Sequence, residues 1–245
     1  MNAFNAWTGV ARSIAVYRLR PSHGAGLRRL YAEFVRPGEL AFDVGAHVGD
    51  RTAAFRALGA RVVAVEPQRR LAAVLRLLHG RDKGVALRRC ALGPAAGTAT
   101  LRVNTANPTV ATLSTDFLEA TRDAPGWEGQ RWDAAEETPV ETLDRLIAAH
   151  GAPAFVKIDV EGHEAEVLAG LSAPVPALSF EIVTAARSAA QAALDRARAL
   201  GYRRFRLSLG ESHTWAGDWI DGDAMAATLA ALPDAANSGD VYCRP

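Results

Sequence analysis

From Leu40 onward, short apolar runs alternate with stretches whose apolar residues recur at every third or fourth position. Leu40–Val44 is such a run, placed after a Pro37-Gly38 turn signal, and it predicts a strand. Residues 50–58 read as a helix stopped by Gly59, and Arg61–Val65 as a second strand. Leu71, Val74, Leu75 and Leu78 share one helical face within residues 68–78, and Gly80 follows. Residues 85–92 are a third strand, weakened by Arg88-Arg89, and residues 98–103 a further one that a hairpin through 94–97 would pair with it. Residues 104–139 break the rhythm: Asn, Thr, Pro, Asp and Gly cluster there around Trp127 and Trp132. This stretch is expected to be a long loop-like insertion, either a lid over a site or a surface excursion.

The alternation then resumes. Residues 142–149 form a helix, 155–160 a strand, 163–171 a helix and 177–183 a strand. Ser188 and Gln191 have the spacing of a capping box opening a helix that runs to Leu200 before Gly201. Residues 202–209 alternate as a strand, 221–232 as a helix, and 240–243 close the chain as a strand. Strands interleaved with helices imply βαβ crossovers and a mostly parallel sheet covered on both faces. Before this region, residues 1–36 carry an amphipathic stretch, 27–35, suited to capping a site or to contact within a homodimer.

Composition narrows the function classes. The chain has 245 residues and a formal net charge of +1, from 28 basic and 27 acidic side chains. Such a balance speaks against a nucleic-acid or anionic-membrane partner for the chain as a whole. Cys90 and Cys243 lie far apart and make neither a zinc-type spacing nor a disulfide framework. No apolar run reaches the roughly 18–20 residues needed to span a bilayer. The first twenty residues hold Arg12, Arg18 and Arg20 without an apolar core of the signal-peptide kind. A cytoplasmic protein is therefore expected. Of the basic residues only Lys83 and Lys157 are lysines, and Lys157 falls in a strand that should be buried.

The first chemical signal lies where the first strand ends, at Asp43-Val44-Gly45-Ala46-His47-Val48-Gly49. Glycines there allow a tight turn and close ligand approach, and the following helix presents free N–H groups. The second strand ends in Glu66-Pro67, where an acid can accept both hydroxyls of a ribose. A dinucleotide site requires G-x-G-x-x-G, because pyrophosphate rests on the turn. This chain instead has G-x-x-x-G with His47 at the middle position, and Asp43 would repel a pyrophosphate but hold an ammonium, directly or through water. An amino-acid moiety joined to a ribose without phosphate describes S-adenosylmethionine. A nicotinamide-dependent oxidoreductase and a catalytically silent cofactor-binding protein are the rival readings.

The second signal is Val156-Lys-Ile-Asp-Val-Glu-Gly-His-Glu-Ala-Glu-Val-Leu-Ala-Gly-Leu171. Together with the glycine turn, Val65-Glu-Pro67, Cys90-Ala-Leu-Gly93, Thr142-Leu-Asp144 and Phe180-Glu-Ile182, it resembles the FkbM-type methyltransferase family over residues 37–183, and Gly239-Asp-Val-Tyr242 also fits. The resemblance implies a class I, Rossmann-like methyltransferase fold over residues 37–245: a seven-stranded, mostly parallel sheet with helices on both faces and only the last strand antiparallel. It implies O-methylation of a small-molecule natural product or a glycan, with S-adenosylmethionine as cofactor. Asp43, Gly45 and Gly49 would line its methionine end, Glu66 would hold the ribose, and Ala91 and Leu92 would flank the adenine. His47, Thr52, Pro67 and Asp159 complete the expected cofactor set. His47 departs from the family, which more often has Asn there; both can donate a hydrogen bond.

Ligands in doubly wound sheets bind at the carboxyl ends of the strands. The acceptor site is therefore expected around Asp159, Glu161 and His163, with Glu181 as a substrate contact; Trp215 and Trp219, in a Gly/Asp-rich stretch, either line a substrate mouth or cover the sheet edge. His163 is the best general-base candidate, since imidazole titrates near neutrality. Asp159, Glu161 and His163 could instead hold a divalent cation, but roles in a tight turn are the plainer reading and no metal is assigned. In an extended strand Lys157 and Asp159 share a face. A buried lysine must be paired or lose its proton, and Asp43 or Glu181 on the neighbouring strands are the expected partners.

Overall fold

The structure, a computed structural model, describes residues 3–245. Ten strands and nine α-helices follow one another among these residues. Two helices, α1 (Ala3–Tyr17) and α2 (Pro21–Tyr31), precede the first strand. Then come β1 (Leu40–Val44), α3 (Asp50–Ala57), β2 (Arg61–Val65), α4 (Arg69–His79) and β3 (Val85–Arg88). The middle of the chain holds β4 (Ala91–Leu92), β5 (Gly97–Val103), α5 (Thr115–Thr121), β6 (Ala134–Glu141) and α6 (Leu143–His150). The remainder is β7 (Phe155–Ile158), α7 (Glu164–Ala169), β8 (Leu178–Val183), α8 (Arg187–Leu200), β9 (Arg204–Leu209), α9 (Gly222–Ala231) and β10 (Ser238–Arg244).

The main sheet has seven strands in the order β3-β2-β1-β7-β8-β10-β9. β1 pairs in parallel with β2 on one side and β7 on the other. β10 alone runs against its neighbours, β8 and β9. This is the expected seven-stranded α/β architecture. The chain winds outward from β1 in one direction, then returns to place β7 on its other side. That reversal opens a crevice between the carboxyl ends of β1 and β7, where two crossovers depart in opposite directions.

Burial follows the pleat. Leu40, Phe42, Val44, Val156 and Ile158 face a core closed by Leu143 and Leu146 of α6, Val167 and Leu168 of α7, and Leu194 of α8. Ala41, Val62, Ala64 and Phe155 face the opposite layer, with Leu27, Leu30 and Tyr31 of α2, Phe34 and Phe55. Both faces are covered, so the central strands carry continuous apolar runs rather than a polar-outward alternation. The stretch 27–35 is thus part of the second core. Phe34 stacks on Phe155 and on Tyr242, with centroids 4.9 and 5.4 Å apart.

The middle region departs from the expectation in three ways. Residues 85–92 are not one strand: β3 ends at exposed Arg88, the chain turns, and β4 joins a second, three-stranded sheet. No hairpin links β4 to β5, because β6 lies between them, parallel to β4 and antiparallel to β5. The last six residues of the 104–139 stretch therefore belong to β6 rather than to a loop. Two glutamates and Pro139 hid it, since only one side is buried and Thr138, fully buried, is its innermost residue. The capping box at Ser188 is not formed either, because a 3-10 turn at Thr184–Ala186 runs directly into α8 and leaves Ser188 inside the helix. Among the described residues no helix is long and apolar enough to cross a membrane.

Candidate functional site

The site begins with the turn after β1. Gly45 and Gly49 have φ of +80° and +77°, a region favouring glycine. A Cβ on Gly45 would collide with the Asp159 carbonyl, and one on Gly49 would lie 2.7 Å from Leu75. Here the missing side chains let the β1 turn pack on the β7 loop and on α4; the chain itself occupies that space. His47, between the glycines, also sits at positive φ, +49°. Asn tolerates that conformation best among non-glycine residues, which accounts physically for the residue more usual there. Burial pushes the His47 imidazole down to about 4, so the ring is neutral.

Beneath this turn lies Asp43, fully buried, whose Oδ2 accepts a 2.5 Å hydrogen bond from the Thr52 hydroxyl while Oδ1 has no partner. At the end of β2, Glu66 Oε2 accepts the His47 amide at 2.9 Å and Oε1 the Gln68 amide at 2.8 Å. Each oxygen keeps a free lone pair. Burial raises the Glu66 carboxyl to about 8 in spite of the two amides.

The loop after β7 supplies the other wall. Glu161 and Gly162 both adopt positive φ, +54° and +84°. The strained turn is pinned: Thr112 donates to the Glu161 carbonyl at 2.6 Å, Glu164 accepts from the Val160 amide at 3.0 Å, and the Phe117 ring occupies the space a Gly162 Cβ would need. It brings the carboxylates of Asp159, Glu161 and Glu181 within 4.8 Å of one another. Against the cost of burial, Lys157 and Arg51 hold the Asp159 carboxyl below its ordinary value, at 3.2 and 3.6 Å. Burial, and then the Asp159 charge, push Glu161 and Glu181 well above theirs. One carboxyl held low thus sits beside two that are pushed up. Oε2 of Glu161 and Oε2 of Glu181 have no hydrogen-bond partner, and Glu161 is only 5% exposed.

Lys157 is fully buried and ion-paired, but not with the expected acids. Its ammonium lies 2.6 Å from Asp240 of β10 and 3.2 Å from Asp159. Register explains the difference: Ser179, not Glu181, lies opposite Lys157 on β8, while Glu181 lies opposite Asp240. Asp43, opposite Lys157 on β1, is engaged by Thr52. His163 stands at the start of α7 without a side-chain capping hydrogen bond, with Nδ1 3.7 Å from Glu166 and its ring against Gly93. It does not join the three carboxylates; Glu181 takes the place the sequence suggested for it.

These elements enclose a cavity of about 480 Å³ at the β1–β7 crevice. Gly45, His47, Glu66, Pro67, Ala91, Leu92, Asp159, Glu161, His163 and Glu181 line it. Asp43, Gly49, Thr52 and Lys157 lie behind that lining. Trp215 is elsewhere: it packs edge-on against Tyr242 at 4.9 Å, under the Arg206 guanidinium at 4.5 Å, and covers the sheet. The sequence did not point to the wall formed by Arg12, Ser13 and Tyr17 of α1, nor to Arg51 and Glu211. Those residues belong to no contiguous motif; only the Asp50-Arg51 charge pair at a helix start hinted at them.

The model of the methyltransferase FkbM domain matches residues 43–204, about two thirds of the chain. The chain belongs to the FkbM methyltransferase family. Its cofactor is accordingly S-adenosylmethionine. No curated protein matches the sequence. Among solved structures, an O-methyltransferase from Bacillus cereus in complex with SAH is similar at a TM-score of 0.49 and 12% identity, over 100% of this chain and 92% of that one. A precorrin-6Y C5,15-methyltransferase from Geobacter metallireducens is similar at 0.45 and 11%, over 90% and 86%.

Two expectations follow for this FkbM-family protein. Replacing Lys157 by Met strands two carboxylates, so the loss of stability in urea denaturation should be about 3–5 kcal/mol; adding Asp240→Asn to that variant should recover part of it. Second, Glu66 is raised to about 8, Glu164 to about 7 and Asp43 to about 6, each chiefly by burial. Such groups bind protons more tightly folded than unfolded. Their contribution is complete below the unfolded value of about 4 and is lost as pH rises through the folded values. The urea midpoint of the ligand-free protein should therefore fall between pH 5 and pH 8, and Glu66→Gln should flatten the upper part of that decline.

Proposed function

We propose that this protein methylates a hydroxyl oxygen of a small-molecule natural product or a glycan. The observation that carries the reading is a single cavity with a ribose-type acid at one side and a three-carboxylate cluster at the other, joined at the β1–β7 crevice. Its volume falls within the roughly 300–1,000 Å³ of small-molecule sites.

The residues present fit S-adenosylmethionine. Glu66 has one open lone pair on each oxygen for a vicinal diol, and Ala91 and Leu92 offer an apolar flank for the adenine. The turn at Gly45 and His47 would receive the methionine end, with the unpartnered Asp43 oxygen beneath it. When bound, the cofactor supplies a methyl group on a sulfonium, already activated for transfer.

The chain then has to hold the acceptor oxygen in line and take its proton. Glu161 and Glu181 line this region, and with carboxyls pushed well above their ordinary values they are suited to orient a hydroxyl by hydrogen bonding. Ionised Asp159, fixed by Lys157, sets the local charge. His163, its imidazole lowered by burial and so neutral near pH 7, is the proton acceptor.

Calorimetry should show binding of S-adenosylmethionine and none of NAD, and Glu66→Gln should weaken it by about tenfold, the equivalent of one lost hydrogen bond. In a panel of hydroxylated acceptors, S-adenosylhomocysteine should form with at least one. His163→Ala should then lower kcat by about 10²-fold or more and abolish the acidic limb of the pH profile. No cofactor binding at millimolar concentration would overturn the reading, and His163→Ala with an unchanged pH profile would remove that residue as the base.

A further inference from the structure

Beside the cavity wall, three ligating side chains converge from the two ends of the chain. His23 lies on α2, and Glu211 and His213 lie in the turn after β9. His23 Nδ1 and His213 Nε2 are 3.1 Å apart, and Glu211 Oε2 is 3.7 Å from each. Of the points equidistant from these three atoms, the nearest lies in their plane at about 2.0 Å from each, so an ion with zinc-length bonds to a histidine nitrogen or a carboxylate oxygen reaches all three with small shifts.

The surroundings prepare the same three atoms. His23 turns its other nitrogen, Nε2, to Asp50 Oδ2 at 2.8 Å. Asp50 Oδ2 also accepts from the Arg51 guanidinium at 3.0 Å. With Nε2 donating to Asp50, Nδ1 accepts from His213 Nε2 at 3.1 Å, a hydrogen that a bound metal ion would replace, and the carboxylate–histidine arrangement is one that orients a metal ligand. Gly26 on α2 makes room for His213: a Cβ there would lie 2.5 Å from the His213 ring. His213 is held at a φ of +52°, a costly conformation for a non-glycine residue. Arg51 engages Glu211 through Oε1 at 3.2 Å, leaving Oε2 to face the imidazoles.

We propose that His23, Glu211 and His213 bind one divalent transition-metal ion of the zinc class, which clips α2 to the turn after β9. Two histidines and one carboxylate leave the fourth position open, on the side where Glu211 is 45% exposed. The ion steadies the cavity wall from outside: Tyr17, which lines the cavity, packs edge-on against His23 at 5.9 Å. This assignment does not depend on which acceptor is methylated.

The test uses the untagged full chain, stripped with a chelator and titrated with zinc against a chromophoric competitor, with cobalt as a spectroscopic probe. One equivalent should bind, cobalt should give the intense visible bands of a four-coordinate site, and Tm should rise by roughly 5–10 °C at a hundredfold excess of zinc over Kd. His213→Gln should abolish binding. Glu211→Gln, at a half-exposed position that leaves the fold intact, and Asp50→Asn should each weaken it by about 10–100-fold. Absence of binding at about 0.1 mM zinc, far weaker than folded zinc sites achieve, would overturn the proposal. So would binding unchanged in Glu211→Gln but lost in Glu161→Gln.

Discussion

The positive charge of Lys157 lies where no water reaches it, at the centre of a parallel sheet. An isolated ammonium there would cost several kcal/mol and would shed its proton. Asp159, just past the end of its own strand, and Asp240 on β10 keep it charged, at 3.2 and 2.6 Å. This arrangement ties β7 to the C-terminal strand across β8. It also bears on the protonation of the site above. Burial, and then the charge of Asp159 within 4.8 Å, push Glu161 and Glu181 well above their ordinary values, against the pull of Lys157.

The rest of the site is built outward from that point by backbone geometry. The Gly45 turn can lie on the Asp159 carbonyl only because it lacks a side chain. The Glu161-Gly162 turn aims a carboxyl into the cavity at the cost of two positive φ values, and Thr112, Glu164 and Phe117 bear on it from three elements. Rigid strands thus hold short, strained loops at their carboxyl ends, where a small displacement of a reacting group is most costly. The N-terminal helices complete the enclosure. Arg18 of the α1–α2 junction donates to the Gly49 carbonyl at 2.6 Å, so the cover is fastened to the same turn.

Much of this was legible beforehand wherever the residues of a feature are neighbours in sequence. β1, β2, β7 and β8 are buried on both faces, and their apolar runs announce them. The glycine turn, Glu66 and the Lys157–His163 segment are contiguous motifs, and each reaches the crevice or its immediate support. β6 was hidden because it belongs to a small sheet with one wet face, so two glutamates and a proline are tolerated. Trp215 gave an ambiguous signal, because an aromatic in a glycine-rich stretch serves to line a mouth or to shield a sheet, and Arg206 and Tyr242 draw it to the sheet.

The sequence alone determined the alternating α/β architecture, the family, the cofactor class and the acids at the strand ends, because these reside in local periodicity and in short motifs. Tertiary structure decided which acid meets which cation. Strand register placed Ser179 rather than Glu181 beside Lys157, and folding brought Asp240 to it from 83 residues away. It also gathered His23, Glu211 and His213, with 190 residues between the two histidines. Pairing energies depend on distances of a few ångströms, and a linear order of residues carries no such distances until the sheet is assembled.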